Sequence, residues 1–280
     1  MPELPEVETV CRGLEPVLKG HVITHADVRR KDLRKPFPRG LAAHLKGCTV
    51  QGLSRRAKYI LIHLDNSYVL VIHLGMSGRI VFQDQSYIPA THDHFILRTD
   101  AGMQIVLNDP RRFGVVDLIA EENVAAHTLF KHLGPEPLAS SFTGSFLHEA
   151  LSGRKTAVKV ALMDQRLVVG VGNIYASEAL YRAGINPERA AGTIDKGEAV
   201  SLVKAIKEVL REAIKAGGST LKDHRQANGE LGYFQHSFAV YDREGDVCPV
   251  GRLKKTARGH TIRRIIQGGR STFYCPACQK

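Results

Sequence analysis

Two short stretches carry side chains able to do covalent or metal chemistry. The first is Met1-Pro2-Glu3-Leu4-Pro5-Glu6-Val7-Glu8-Thr9. Removal of Met1 leaves Pro2 as a free secondary amine, which can attack a carbon at the aldehyde oxidation level and form an iminium. Glu3 then stands beside it as a proton donor. The same residues also make an ordinary helix start, because proline suits the first turn and carboxylates suit the positive end of a helix. The second stretch is Cys275-Pro276-Ala277-Cys278, a C-x-x-C knuckle with Cys248 upstream. Structural zinc takes four ligands, commonly two such pairs on adjoining hairpins. Here the partner pair is broken, since Gly251 stands where a second C-x-x-C would place a cysteine. His260 is the candidate fourth ligand, giving a set of three cysteines and one histidine. Three ordinary thiols are the alternative.

Basic residues supply the rest. From Cys248 to Lys280 there is no Asp or Glu, while Arg252, Lys254, Lys255, Arg258, Arg263, Arg264, Arg270 and Lys280 are cationic. A run this one-sided points to phosphate contact. In Asp109-Pro110-Arg111-Arg112-Phe113 an aromatic side chain follows two arginines, the composition of a wedge that unstacks bases. In Arg55-Arg56-Ala57-Lys58-Tyr59, strand alternation would turn Arg56 and Lys58 to one face and Ala57 to the other. His92-Asp93-His94 lacks a third ligand cluster, so a loop contact to DNA accounts for it better than a metal. Gly170-Val171-Gly172-Asn173 joins two helical patterns; it is either a plain turn with an Asn cap or a phosphate cradle.

These groups need a scaffold. Val7, Val10, Leu14 and Val17 recur at helical spacing after Pro5, with Gly20 as a stop, so one amphipathic helix places the terminus. Eight β-rich runs follow, at 21–28, 48–53, 59–64, 68–73, 78–82, 94–98, 103–107 and 114–119. Their spacing predicts a β-sandwich or barrel. A proline-bearing linker, His132-Leu133-Gly134-Pro135-Glu136-Pro137-Leu138, precedes helical patterns at 143–151, 155–163, 174–183 and 196–216. A turn-rich segment with three of the five cysteines closes the chain. The expected architecture is α+β and multidomain: a catalytic β-sandwich with an N-terminal helix (1–132), a helical DNA-binding domain (133–236) and a zinc-finger-like β-hairpin (237–280).

Composition narrows the partners. A formal net charge of +11 on 280 residues makes a polyanion the first choice, nucleic acid ahead of an acidic membrane. No apolar run approaches the ~18 residues of a membrane span, and the acidic terminus is unlike a signal peptide. The odd, unevenly placed cysteines fit a reducing cytoplasm. No carboxylate cluster suits a two-metal nuclease.

Assembled in order, these residues resemble the formamidopyrimidine-DNA glycosylase family of bacterial repair enzymes, related to endonuclease VIII. The resemblance runs over essentially the whole chain and rests on segments 2–9, 55–59, 73–78, 109–114, 133–138, 170–176, 220–223 and 271–278. The continuation Leu4-Pro5-Glu6-Val7-Glu8-Thr9 resembles the formamidopyrimidine branch, which implies oxidised purines (8-oxoguanine and ring-opened formamidopyrimidines) as substrates in double-stranded DNA. The resemblance implies base excision followed by β,δ-elimination, with Pro2 as nucleophile and Glu3 as the acid that opens the sugar ring. It implies Lys58 as proton donor in β-elimination and Arg270, on the zinc hairpin, at δ-elimination. His92, Arg111 and Arg154 fall where the family contacts DNA, Arg154 in place of a frequent lysine. Met76, Arg111 and Phe113 match the residues that fill the gap left by the extruded nucleotide. Asn173 matches a helix-two-turns-helix phosphate clamp. Lys222 lies in segment 217–233, which matches the region that closes over the flipped base. One zinc ion and a monomer are implied too. The chain departs from the family's four cysteines, having Cys248, Cys275 and Cys278, with His260 to complete the site. A damaged-DNA-binding protein that keeps this fold without its catalysis is the competing expectation, against which Pro2, Glu3 and Lys58 together argue.

Overall fold

A computed structural model describes residues 2–219, 232–255 and 258–280 of the chain. Two compact units emerge: residues 1–131 with 216–233, and residues 132–215 with 234–280.

The first unit begins with helix α1 (Leu4–Leu18), whose N-cap is Glu3. Gly20, with φ +82°, lies just past its end and supplies the left-handed residue that stops it. Then come β1 (Ile23–Val28), a short helix α2 (Leu41–Leu45), β2 (Val50–Arg56), β3 (Tyr59–Leu64), β4 (Tyr68–His73), β5 (Arg79–Gln83), β6 (Asp93–Thr99), β7 (Gln104–Asn108) and β8 (Val115–Ala120). They form two four-stranded antiparallel sheets, in the orders β1-β6-β7-β5 and β2-β3-β4-β8. Alternation turns Ile60, Ile62, Leu70 and Ile72 of one sheet and Phe95, Leu97, Ile105 and Leu107 of the other into a shared core. The apolar stripe of α1, Val7, Val10, Leu14 and Leu18, joins the same core. Burying it at about 25 cal/mol per Å² of apolar surface is what fixes the helix to the sandwich, since an isolated helix of this length is marginal in water.

The second unit holds α3 (Gly144–Leu151), α4 (Val158–Leu162), α5 (Asn173–Ala183) and α6 (Lys196–Lys215), then α7 (Pro249–Leu253) and the hairpin β9 (Arg263–Gln267) and β10 (Arg270–Tyr274). Helix α6 packs on α3 and α5, and β10 packs on α5. Gly144 permits one close approach, because a Cβ there would meet Cγ2 of Val200 at 2.4 Å. The buried carboxylate of Glu178 on α5 accepts the backbone N–H groups of Ala239, Val240 and Tyr241 at 2.8–2.9 Å, tying the helical layer to the cysteine-bearing segment. Burial raises its pKa against the pull of those three bonds.

Candidate active site and metal centre

The terminus is held by a reciprocal capping box. The Glu3 N–H donates to Oε2 of Glu6 at 2.9 Å, and both side chains are buried. Pro5 sits in the second helical position, within the first turn, where its missing N–H costs nothing. The other oxygen of Glu6, Oε1, accepts the N–H and hydroxyl of Ser219 at 2.8 and 2.9 Å. One buried carboxylate thus joins the terminus to Ser219 of the same unit.

Lys58 lies in the two-residue turn between β2 and β3, not on a strand. Ala57 adopts φ +54°, so the expected alternation of Arg56, Ala57 and Lys58 breaks at the turn. The turn is tied to α1: Arg55 donates Nε to Glu8 at 2.8 Å and Nη1 to the Ala57 carbonyl at 2.8 Å. Burial pulls the Glu8 carboxyl up, but its bonds to Arg55 and Arg12 outweigh this and leave it below its usual range. Lys58 itself is buried. Burial, then the charges of Lys58 and Arg34, take the His73 imidazole down to about 4. Neutral His73 accepts the Gly75 N–H on Nδ1 at 3.0 Å.

Met76 and Phe113 are exposed large apolar side chains, 45% and 40% accessible, on two neighbouring loops. The Arg111 guanidinium lies 5.0 Å from the centroid of the Phe113 ring. Gly75, at φ +63°, is required between the loops, because a Cβ there would meet the Phe113 carbonyl carbon at 2.3 Å. His92 is exposed, whereas Asp93 and His94 open β6 and are buried. Asp93 accepts from Asn108, Tyr87 and Ala90, and His94 Nε2 bonds the Asp109 carbonyl at 3.0 Å, so only His92 of this trio faces outward.

In the second unit Gly172 is the N-cap of α5, and Asn173 is its first residue rather than its cap. The Asn173 amide donates to the Ser271 carbonyl at 2.9 Å and to the Tyr241 hydroxyl at 3.3 Å, while its oxygen accepts from the buried Lys159 ammonium. Arg154 donates to the Ala150 carbonyl at 2.8 Å and approaches Asp164 at 3.6 Å. Arg270 is exposed beside a turn in which Gly268 and Gly269 both have positive φ. Lys222 lies outside the described residues.

Cys248, His260, Cys275 and Cys278 converge, their ligand atoms all within 4.8 Å of one another. His260 Nδ1 lies 3.5 Å from the sulfurs of Cys248 and Cys278 and 3.9 Å from that of Cys275, and the Cys248 and Cys278 sulfurs are 3.7 Å apart. Tetrahedral zinc with its usual bond lengths would separate sulfur from nitrogen by about 3.6 Å and sulfur from sulfur by about 3.8 Å, so these donors fit it. With His260 in place, residue 251 has no room for a cysteine: a Cβ there would meet Cβ of His260 at 2.5 Å. Burial raises the Cys248 thiol, yet the Gly251 N–H, His260 and Tyr181 bring it down to about 6, while burial and the neighbouring sulfurs push Cys278 up to about 12. Zinc bound among the three cysteines would take all three as thiolates and release their protons.

Sequence reasoning missed Glu6, Glu8, Arg55, Ser77, Lys159 and Glu178. The S/T-x-x-E logic of the capping box was available in Glu3 and Glu6, and Lys159 and Glu178 stand as charges on otherwise apolar helix faces. The long-range pairs leave no local signal.

The family models agree with this arrangement. The N-terminal domain model of formamidopyrimidine-DNA glycosylase matches residues 1–116, its H2TH domain model matches 133–225, and a zinc finger found in FPG and IleRS matches 259–280. The chain is 53% identical to the formamidopyrimidine-DNA glycosylase of Paracoccus denitrificans over 288 residues and 51% identical to that of Azorhizobium caulinodans over 298, each over the full length of both chains. Among solved structures, a Lactococcus lactis FPG mutant in complex with a Fapy-dG containing DNA superposes with a TM-score of 0.90 at 34% identity, covering 100% of both chains. The Thermus thermophilus MutM (FPG) protein does so at 0.86 and 38% identity, covering 99% of this chain and 98% of that one. With a buried Pro2-Glu3 terminus on a β-sandwich, an H2TH layer and a three-cysteine, one-histidine zinc centre, the chain belongs to the formamidopyrimidine-DNA glycosylase family.

Proposed function

We propose that this chain excises oxidised purines, 8-oxoguanine and formamidopyrimidines, from double-stranded DNA and then cuts the strand at the resulting abasic site. The observation that carries the reading is the Glu8–Arg55–Ala57 tie, which fixes the turn bearing Lys58 to the helix bearing Pro2 and Glu3.

The Pro2 nitrogen attacks C1′ of the deoxyribose as the glycosidic bond breaks, and the base leaves with the bonding pair and takes up the proton that the Pro2 amine loses. A proton from Glu3 opens the sugar ring at O4′, and C1′ becomes an iminium. That cation draws electrons from C2′, whose proton is lost as the 3′ phosphate departs, with Lys58 as proton donor. A second elimination, with loss of the C4′ proton, releases the 5′ phosphate near Arg270. Arginine, with a pKa above ~12, stabilises the departing phosphate better than it protonates it. Cys248, His260, Cys275 and Cys278 would hold one zinc ion, which would keep the cysteine-bearing ribbon in shape. Met76, Arg111 and Phe113 fill the gap left by the flipped nucleotide, whose extrusion costs a few kcal/mol. His92 and Arg154 hold backbone phosphates, the helix start at Asn173 clamps another, and Lys222 belongs to the segment that closes over the flipped base. Residues 1–132 carry the chemistry, 133–236 grip the duplex and 237–280 present Arg270. The protein acts as a monomer in the bacterial cytoplasm, where its substrate lies; among the described residues no helix is long and apolar enough to cross a membrane.

Strand cutting of a duplex with one 8-oxoguanine tests the roles. Glu3→Gln should slow base release about 100-fold or more, the range of a lost general acid. Lys58→Ala should release the base but cut the strand slowly. Both variants working at the wild-type rate would contradict the assignment.

A further inference from the structure

The wedge side chains sit on two separate loops, and a single buried carboxylate holds both. Asp109 is fully buried. Its Oδ1 accepts the Ser77 hydroxyl at 2.7 Å, and its Oδ2 accepts the Gly114 N–H at 2.8 Å. Ser77 Oγ in turn accepts the Arg111 N–H at 3.2 Å. The Asp109 backbone adds three bonds: its N–H donates to the His92 carbonyl at 3.0 Å, and its carbonyl bonds Arg112 N–H at 3.1 Å and His94 Nε2 at 3.0 Å. Between these anchors Arg112 takes φ +58°, a conformation that costs an L-residue about 1 kcal/mol and persists only where neighbours enforce it.

We propose that Asp109 is the positioning residue of the wedge: through Ser77 and Gly114 it locks the loop of Met76 to the loop of Arg111 and Phe113, so that the three enter the duplex as one rigid body. This rests on the function proposed above. The geometry leaves little tolerance. A Cβ on Gly114 would lie 3.0 Å from the His73 carbonyl oxygen and 3.1 Å from Oδ2 of Asp109, and Gly75 has no room for one at all. Hydrogen bonds to a carboxylate are stronger than those between neutral groups, so Asp109 can bear the load of prising a base pair apart. Asp109 touches neither sugar nor base in this account. Its loss therefore affects extrusion of a paired base and spares chemistry on a sugar that carries none.

Two substrates separate these effects. Single-turnover base release is measured on an 8-oxoguanine·cytosine duplex, and borohydride adduct formation on a duplex with a preformed abasic site. The opposite strand carries 2-aminopurine beside the lesion to report unstacking. Asp109→Asn and Ser77→Ala should slow base release about 10- to 100-fold and blunt the 2-aminopurine rise, the size expected when wedge groups are misplaced by about 1 Å. Adduct formation at the abasic site should stay within about threefold of wild type. Ser77→Ala removes only a partly buried hydroxyl, so it keeps the test valid if Asp109→Asn unfolds, and Ser77→Thr should restore the rate. Equal loss on both substrates, or no loss on either, would overturn the proposal. A wild-type chain inert on both duplexes would instead overturn the functional reading and the role of Asp109 with it.

Discussion

His73 shows how single residues are tuned around the buried Lys58 turn. Its imidazole is held neutral by burial and by the nearby cations, and its Nδ1 accepts the Gly75 N–H. The folded value, about 4, lies below the ordinary histidine value of about 6.5, so the unfolded chain takes up this proton first as pH falls. The contribution is full above the unfolded value and is lost as pH drops from about 6.5 to about 4, by up to about 1.4 kcal/mol per pH unit. Urea midpoints between pH 7 and pH 4.5 should show this slope in the wild type and a shallower one in His73→Asn, whose amide oxygen can take the Gly75 N–H without titrating. Identical slopes would remove His73 from the account. Lys58 itself illustrates a limit of sequence pattern. Its basic neighbours were legible, but not its placement in a turn, because Ala57 gives no glycine or asparagine signal for its positive φ.

At the scale of elements, periodicity served well where one face is buried. The runs at 59–64 and 68–73 match β3 and β4, and the other strands of the sandwich differ from their runs by a few residues at the ends. Helices α2 and α7 escaped notice because five residues are too short to show a period. The metal ribbon was half legible. The C-x-x-C pair is a local signal, whereas the part played by Gly251 depends on a His260 ring packed against it from nine residues away. That packing makes a prediction. Gly251→Cys rebuilds the sequence motif yet should lower bound zinc below one per chain, because its Cβ displaces His260. His260→Cys should keep one zinc, shifting the cobalt(II)-substituted spectrum toward four-sulfur ligation. Full zinc in Gly251→Cys with an unchanged cobalt spectrum would show that the crowding has no consequence. Stripping the metal with chelator should loosen the hairpin of Arg270 and leave strand cutting stalled after the first elimination.

Over the whole molecule, a net charge of +11 meets a polyanion, so binding should release counterions. For an undamaged duplex, log Kobs against log salt should fall with a slope of about −3 or steeper, roughly −0.9 for each phosphate neutralised. A flat dependence would mean that the charge is merely solvated. The family was legible because its motifs are spread in order along the entire chain, from Pro2 to Cys278, so no one of them had to decide alone. The interactions that hold the site together, Glu6 with Ser219, Arg55 with Glu8 and Asp109 with Ser77, join residues 32 or more positions apart and appear only once the chain is folded. The first two serve a terminus whose amine must be free and fixed. Borohydride trapping on an 8-oxoguanine duplex, followed by proteolysis and mass spectrometry of the adduct, tests this claim most directly. The account predicts that the DNA remnant sits on the peptide beginning at Pro2, at its nitrogen, and that chains retaining Met1 give no adduct. An adduct on Lys58 or another lysine, or trapping by chains that keep Met1, would contradict it.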